Sequence, residues 1–145
     1  MSLLVRPATP DDEPQVVTLW QACGLVVPTN DPATDFRFAR ARTGSDVLVG
    51  QDPEGALLGS VMVGHDGHRG WLYYVACHPD HRAHGIGRQM VAAGEAWLRA
   101  RGVVKVQLLV RDTNTAVVAF YARLGFDVTP RTVMAKWLEP PDNTA

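Results

Sequence analysis

The stretch Arg82-Ala83-His84-Gly85-Ile86-Gly87 constrains this chain most, because it sets a Gly-x-Gly between a strand-like and a helix-like segment. Trp71-Leu72-Tyr73-Tyr74-Val75-Ala76-Cys77, just upstream, is aromatic and β-branched, as strands are. Downstream, Ile86, Met90, Gly94, Trp97 and Leu98 recur at helical spacing, with Arg88, Ala92, Glu95 and Arg99 on the opposite face. Glycines at such a junction let the backbone come close to a ligand. The first helical turn then presents unpaired N–H groups and the positive end of its dipole, which together suit a phosphate. A dinucleotide loop would carry one more glycine ahead of these two, and the Gly-Lys-Ser/Thr of a P-loop is absent. The competing reading is a glycine turn that merely joins strand to helix.

At 145 residues the chain has the length of one domain, and a hydrophobic share of 46% suffices for one core. No apolar run approaches the roughly 20 residues of a membrane span, and the start, Met1-Ser2-Leu3-Leu4-Val5-Arg6-Pro7, is too short to read as a signal peptide. The formal net charge is -1, and no Lys/Arg cluster is interleaved with aromatics, which argues against nucleic acid as the main ligand. Cys23 and Cys77 lie far apart in sequence, and without a secretion signal a structural disulfide is not expected. The reading is a cytoplasmic protein with reduced thiols.

Leu3 to Arg6 reads as a first strand. Asp11 or Asp12 can cap the helix that follows, whose stripe is Val16, Val17, Leu19, Trp20 and Cys23, and Gly24 ends it. A second helix is expected from Ala33 to about Arg42, anchored by Phe36 and Phe38. Val47 to Gly50 and Leu57 to Gly64 read as strands joined by a hairpin turn at Asp52-Pro53-Glu54-Gly55. After the glycine loop and its helix, Val104, Val106, Leu108 and Val110 alternate as in a strand. Asn114 caps a last helix carrying Val117, Val118, Tyr121 and Leu124, and Gly125 ends it, with Phe126 folding back. Val133 to Trp137 is the expected final strand, and residues 140–145 a flexible tail. The element order is α/β (α+β by some schemes) with a mixed sheet, not the strict alternation of a doubly wound fold.

Arg/Gln-x-x-Gly-x-Gly/Ala after a strand resembles the acetyl-CoA pyrophosphate loop of the GNAT superfamily of N-acetyltransferases, and the element order matches that family over nearly the whole chain. The segment Asn114 to Phe126 is similar to the family's Asn…Phe/Tyr-Tyr…Leu-Gly-Phe signature. Leu19-Trp20, Asn30-Asp31-Pro32, Asp35 and Gly64-His65-Asp66-Gly67-His68-Arg69-Gly70 further look like the YpeA-type bacterial acetyltransferases. The resemblance implies one GNAT domain over residues 1–139, a twisted mixed sheet of six to seven strands, and about four flanking helices. It implies acetyl-CoA as co-substrate and no metal. The amides of Ala83, His84, Gly85, Ile86, Gly87 and Arg88 would cradle the pyrophosphate, with Arg82 and Arg88 adding positive charge. The main chain of Val75, Ala76 and Cys77 would hold the pantetheine arm, an N–H at or near Cys77 serving as oxyanion donor. Asn114 matches the residue that contacts the cofactor arm, and Tyr121 the acid that protonates the departing thiolate. As alternatives, Tyr121 is an amphipathic core residue and Asn114 a plain cap.

The general base has no obvious owner. Several family members carry Glu where this chain has Leu109, and a leucine takes no proton. Asp66, His65 and His68 in the turn before the Trp71 strand, or Asp35 in the second helix, are the candidates, alongside an amine that arrives neutral or a water relay. The five histidines between His65 and His84 span a turn, a strand and a loop, and read as solvated residues rather than metal ligands. The function so read is acetyl-CoA-dependent N-acetylation of an unidentified primary amine by direct attack on the thioester. A non-catalytic acyl-CoA sensing domain, or an α/β domain binding no cofactor, are the alternatives. Neither nucleic acid nor membrane is an expected partner, and the family's frequent dimers make a homodimer plausible.

Overall fold

Val47, Val49, Val61 and Val63 are wholly enclosed, which places two neighbouring strands at the centre of a sheet covered on both faces. The computed structural model describes residues 2–141. The chain divides into two compact units, Met1–Leu108 and Leu109–Ala145.

The first unit holds strands β1 (Leu4–Pro7), β2 (Ser45–Gln51), β3 (Leu57–His65), β4 (Gly70–Cys77) and β5 (Val106–Gln107), with helices α1 (Glu13–Ala22), α2 (Pro32–Ala39) and α3 (Ile86–Arg99). The strands lie in the order β1-β2-β3-β4-β5. Every pairing is antiparallel except β4 with β5, which is parallel and joins only Gly70 to Val106 and Trp71 to Gln107. Trp20 and Phe36 of α1 and α2 pack with Val47, Val49 and Ala76 on one face of the sheet. On the other face lies α3: a Cβ on Gly59 would stand 2.8 Å from Ile86 Cγ2, and one on Gly94 would stand 2.8 Å from Leu72 Cδ2. Burying each large side chain here contributes about 1.5–3 kcal/mol.

Asp12 is the residue that closes the entry to α1. Its carboxylate takes the Thr9 N–H at 2.7 Å and both ends of the Arg6 guanidinium, at 2.7 and 3.0 Å. Helix α2 begins at Pro32 and stops at Ala39, short of the expected Arg42. Arg40 turns extended and Ala41 left-handed (φ 56°), its N–H held by Asp46 Oδ1 at 2.9 Å. Phe36 is buried as expected, but Phe38 is 75% exposed. Two residues apart on a helix means opposite sides, so both could not anchor it.

The second unit contains α4 (Thr115–Arg123). Asn114 caps it, its side chain accepting the Val117 N–H at 3.3 Å. At the far end Gly125 is left-handed (φ 93°) and the Phe126 N–H returns to the Tyr121 carbonyl at 3.1 Å, the 6→1 bond of a Schellman turn. The rings of Tyr121 and Phe126 meet edge-on at 5.5 Å.

Four α-helices match the expectation, whereas the described residues form five strands rather than six or seven. The strand expected over Val104 to Val110 is laddered only at Val106 and Gln107, and Val133 to Trp137 carries no ladder. Alternation marks a face, but a strand exists only where a neighbouring edge receives its N–H and C=O groups. Of the expected tail, residues 142–145 lie outside the described residues.

Candidate active site

The chain leaves β4 through a His78 N–H that still bonds the Leu58 carbonyl at 2.8 Å. A 3-10 turn follows at Pro79–His81, where His78 Nδ1 accepts the Asp80 N–H at 3.1 Å. Two left-handed residues then bend the backbone: Ala83 at φ 71° and Gly85 at φ 74°. At Gly85 glycine relieves the strain of that conformation, and a Cβ there would touch nothing within 4 Å. Ala83 adopts it at a cost of about 1–2 kcal/mol, which no residue type in the loop foretold.

Helix α3 opens immediately after this bend. Its first intrahelical bond runs from the Gln89 N–H to the Gly85 carbonyl at 3.1 Å, so the N–H groups of Ile86, Gly87 and Arg88 have no partner within the helix. Arg82, Ala83, His84, Gly85 and Arg88 are exposed, and Gly87 is half-buried. Ile86 points its side chain into the core, 1% exposed, so it has only its N–H to offer a ligand. An anion set before this turn would meet these N–H groups and the positive end of the helix dipole, with the exposed Arg82 and Arg88 adding positive charge nearby.

Beside the loop runs a bare strand edge. Strand β4 pairs with β3 along its length but with β5 only as far as Trp71. From Leu72 to Cys77 its other edge meets no strand among the described residues, and such an edge can take an extended ligand as an added strand. Ala76 is buried, while Val75 and Cys77 are half-buried. The Cys77 thiol lies 3.6 and 3.7 Å from the carbonyls of His78 and His81, and burial pushes it above the usual thiol range. A thiol raised in this way is little ionised at neutral pH, which makes it a poorer nucleophile. Cys23, distant in sequence, donates its thiol to the Cys77 carbonyl at 3.2 Å, and both cysteines are free.

In the second unit Tyr121 is half-buried, and burial raises its phenol to about 12. Asn114 is exposed and uses Oδ1 for its cap, which leaves its amide NH2 group available. A cleft of about 560 Å³ in the first unit, lined by Thr18, Leu57, His78 and His81 among others, includes none of the expected cofactor residues. The rings of His78, His81 and His84 follow one another at 5.4 and 5.9 Å. Among the described residues no three His, Cys, Asp or Glu side chains converge as metal ligands.

The geometry missed by sequence reasoning centres on Tyr74. Its φ is 49°, at a bulge where Tyr74 and Val75 together oppose Val61 of β3. Its ring stacks on Trp20 at 3.8 Å and 12°, and its Oη donates to Asp35 Oδ2 at 2.7 Å. Burial and the neighbouring carboxylate push the Tyr74 phenol well above its ordinary value.

A mixed sheet with a left-handed bend feeding a helix N-terminus, beside a strand edge that is only partly paired, defines an α/β domain with an open anion-accepting turn. The model of the Acetyltransferase (GNAT) family matches residues 14–126, across the boundary between the two units. An acetyltransferase of Pectobacterium atrosepticum is 37% identical over 92% of this chain and 94% of its own length. Another from Sodalis glossinidius is 38% identical over 86% of this chain and 87% of its own. Among solved structures, an aminoglycoside N-acetyltransferase in complex with CoA shares the fold at a TM-score of 0.79 and 15% identity, covering 94% of this chain and 95% of that one. The chain belongs to the GNAT acetyltransferase family: it is an acetyltransferase, and the acetyl donor of the family is acetyl-CoA. Among the described residues no helix is long and apolar enough to cross a membrane.

Proposed function

We infer that this chain moves the acetyl group of acetyl-CoA to a primary amine by direct attack on the thioester. The observation that carries the reading is the left-handed bend at Ala83 and Gly85, which aims three unpartnered amides outward beside an unpaired strand edge. In this reading the amides from Ala83 to Arg88 hold the pyrophosphate, with Arg82, His84 and Arg88 around it. The backbone of Val75, Ala76 and Cys77 bonds the pantetheine arm, and an N–H there faces the developing oxyanion. Asn114 contacts the arm through its free amide group. Tyr121 donates the proton that the departing thiolate needs, a task for which a phenol that stays protonated is suited. Residues 1–139 act as one domain, and the free Cys23 and Cys77 accord with a reducing, cytoplasmic setting.

Leu109, at the position where the family resemblance implies a Glu as general base, favours a second reading as an acyl-CoA sensor. Calorimetry with CoA tests the shared premise. Wild-type protein binds, whereas Gly85→Glu, which sets bulk and negative charge at the diphosphate, loses detectable binding. Equal affinity for both proteins overturns the site. Tight CoA binding without thiol release in the presence of any primary amine supports the sensor.

A further inference from the structure

A bulge in β4 switches the face of the sheet on which its side chains lie. Gly70 and Leu72 both face α3: a Cβ on Gly70 would lie 2.5 Å from Leu98 Cδ1, and Leu72 packs against Gly94. Side chains alternate with a period of two along a strand, so Tyr74 should face α3 as well. The extra residue opposite Val61 reverses this and sends Tyr74 to the α1–α2 face, onto Trp20 and Asp35. A left-handed backbone at a bulky aromatic is held only where its surroundings enforce it, and such strain gathers at functional sites.

Tyr74 immediately precedes Val75, on the unpaired part of β4. The bend and N-terminus of α3 serve the opposite face of the sheet from α1 and α2. A donor anchored at α3 leaves the α1–α2 face for the incoming amine. There Asp35 is half-buried, with Oδ2 fixed by Tyr74 and Oδ1 without a protein partner among the described residues. The charged groups around it leave it free. Glu13 of α1 closes on Arg37 with two 2.7 Å bonds, and Asp31, just before α2, accepts the Thr34 hydroxyl at 2.6 Å. Asp46 of β2 is occupied by the amides of Ala41 and Val47.

The other candidate bases are worse placed. Asp66 spends Oδ1 on the His68 and Arg69 amides, which hold its carboxyl below the usual range and make it a weaker base. His65 accepts the Gly67 N–H through Nδ1 and lies 6.2 Å from Trp97 of α3, on the other face. The ring of His68 makes none of the side-chain hydrogen bonds among the described residues.

We propose that Asp35, held in place by Tyr74, is the base that takes the proton from the acceptor's ammonium group, which makes the acceptor a cationic primary amine. This rests on the reading that an amine is acetylated. One proton passes from the ammonium to the Asp35 carboxylate, directly or through one water. The freed nitrogen lone pair forms the bond to the acetyl carbon, and the carbon–sulfur bond breaks. The thiolate takes a proton from Tyr121, the acylated nitrogen gives up its second proton through water to restore the Tyr121 phenol, and Asp35 later returns its own proton to water.

The test compares wild type, Asp35→Asn and Tyr74→Phe, using acetyl-CoA with spermidine, phenethylamine and an alanine-initiated peptide. Removing a base costs about 100-fold or more in kcat/KM at pH 7. For Asp35→Asn the deficit should then shrink steadily toward pH 10, where an alkylamine loses its proton unaided, and it should be smaller for a fluorinated amine of low pKa. Tyr74→Phe keeps the ring on Trp20 but releases Asp35, and should lose about tenfold with the same pH trend. CoA affinity by calorimetry and the thermal unfolding midpoint should stay close to wild type in both variants. A deficit below threefold, or one that stays constant with pH and amine pKa, overturns the assignment to Asp35 while leaving amine acetylation intact. A wild type that binds CoA but acetylates none of the three amines overturns both.

Discussion

Trp20 Nε1 and Ser60 Oγ meet at 2.9 Å with both side chains fully enclosed, and the Ser60 hydroxyl is donated onward to the Tyr74 carbonyl, also at 2.9 Å. One hydroxyl thus satisfies a buried indole and the bulge that aims Tyr74. Ser60→Ala strands both groups without partners. Each unsatisfied buried group costs about 1–3 kcal/mol, so urea denaturation should register a loss of about 2–6 kcal/mol. An unchanged midpoint would mean that the indole finds another acceptor.

The pair Arg6–Asp12 makes stability depend on acid. Asp12 is 6% exposed, and the Arg6 guanidinium and the Thr9 amide hold its carboxyl below the ordinary carboxylate range. A folded-state value below the unfolded one means that the contribution is complete above about pH 4. It is lost as pH falls through the lower folded-state value. Asp12→Asn should therefore lose about 1–3 kcal/mol at pH 7, and the gap to wild type should close in the most acidic buffers. Denaturation curves at pH 7, 5 and 2 check it, and a gap independent of pH would assign the loss to packing instead.

The bend before α3 was legible because glycine between a strand-like and a helix-like segment marks a turn, and the end of α4 because Leu124-Gly125-Phe126 encodes its own turn. Tyr74 was not legible, since no residue type announces a bulge and the tyrosine itself favours ordinary strand geometry. The approach of Cys23 to Cys77 is a tertiary fact without local trace. Phe38 was misjudged because an aromatic pair two residues apart suits a strand, not one helix face. Asp35 was one candidate base among four until its bond to Tyr74 distinguished it.

Packing under the loop is as tight as the loop is open. A Cβ on Gly59 would stand 2.8 Å from Ile86 Cγ2 and 2.9 Å from Met90 Cγ, both enclosed side chains with nowhere to retreat. Since Ile86 is the first residue of α3, the displaced helix carries its unpartnered amides with it. Gly59→Ala should cost about 1–3 kcal/mol by overpacking and also weaken CoA binding. Adding Met90→Ala to make room should recover part of both. Unchanged CoA affinity in a measurably destabilised Gly59→Ala would uncouple the core from the loop.

Tyr121→Phe tests whether turnover and CoA binding can be separated. Burial raises its phenol to about 12, so it remains protonated across the working range of an enzyme and can act only as a donor. Tyr121→Phe keeps the ring that meets Phe126 at 5.5 Å but removes the proton. Turnover should fall by about 100-fold, while CoA affinity by calorimetry stays within a few-fold of wild type. The alkaline limb of the wild-type rate profile should not come from this residue below about pH 11. The same raised value means that ionisation destabilises the fold as pH climbs from the unfolded-state value of about 10 through 12. Tyr121→Phe should therefore resist alkaline unfolding better than wild type. A variant with full turnover would make Tyr121 a packing residue and leave the thiolate to be protonated by water.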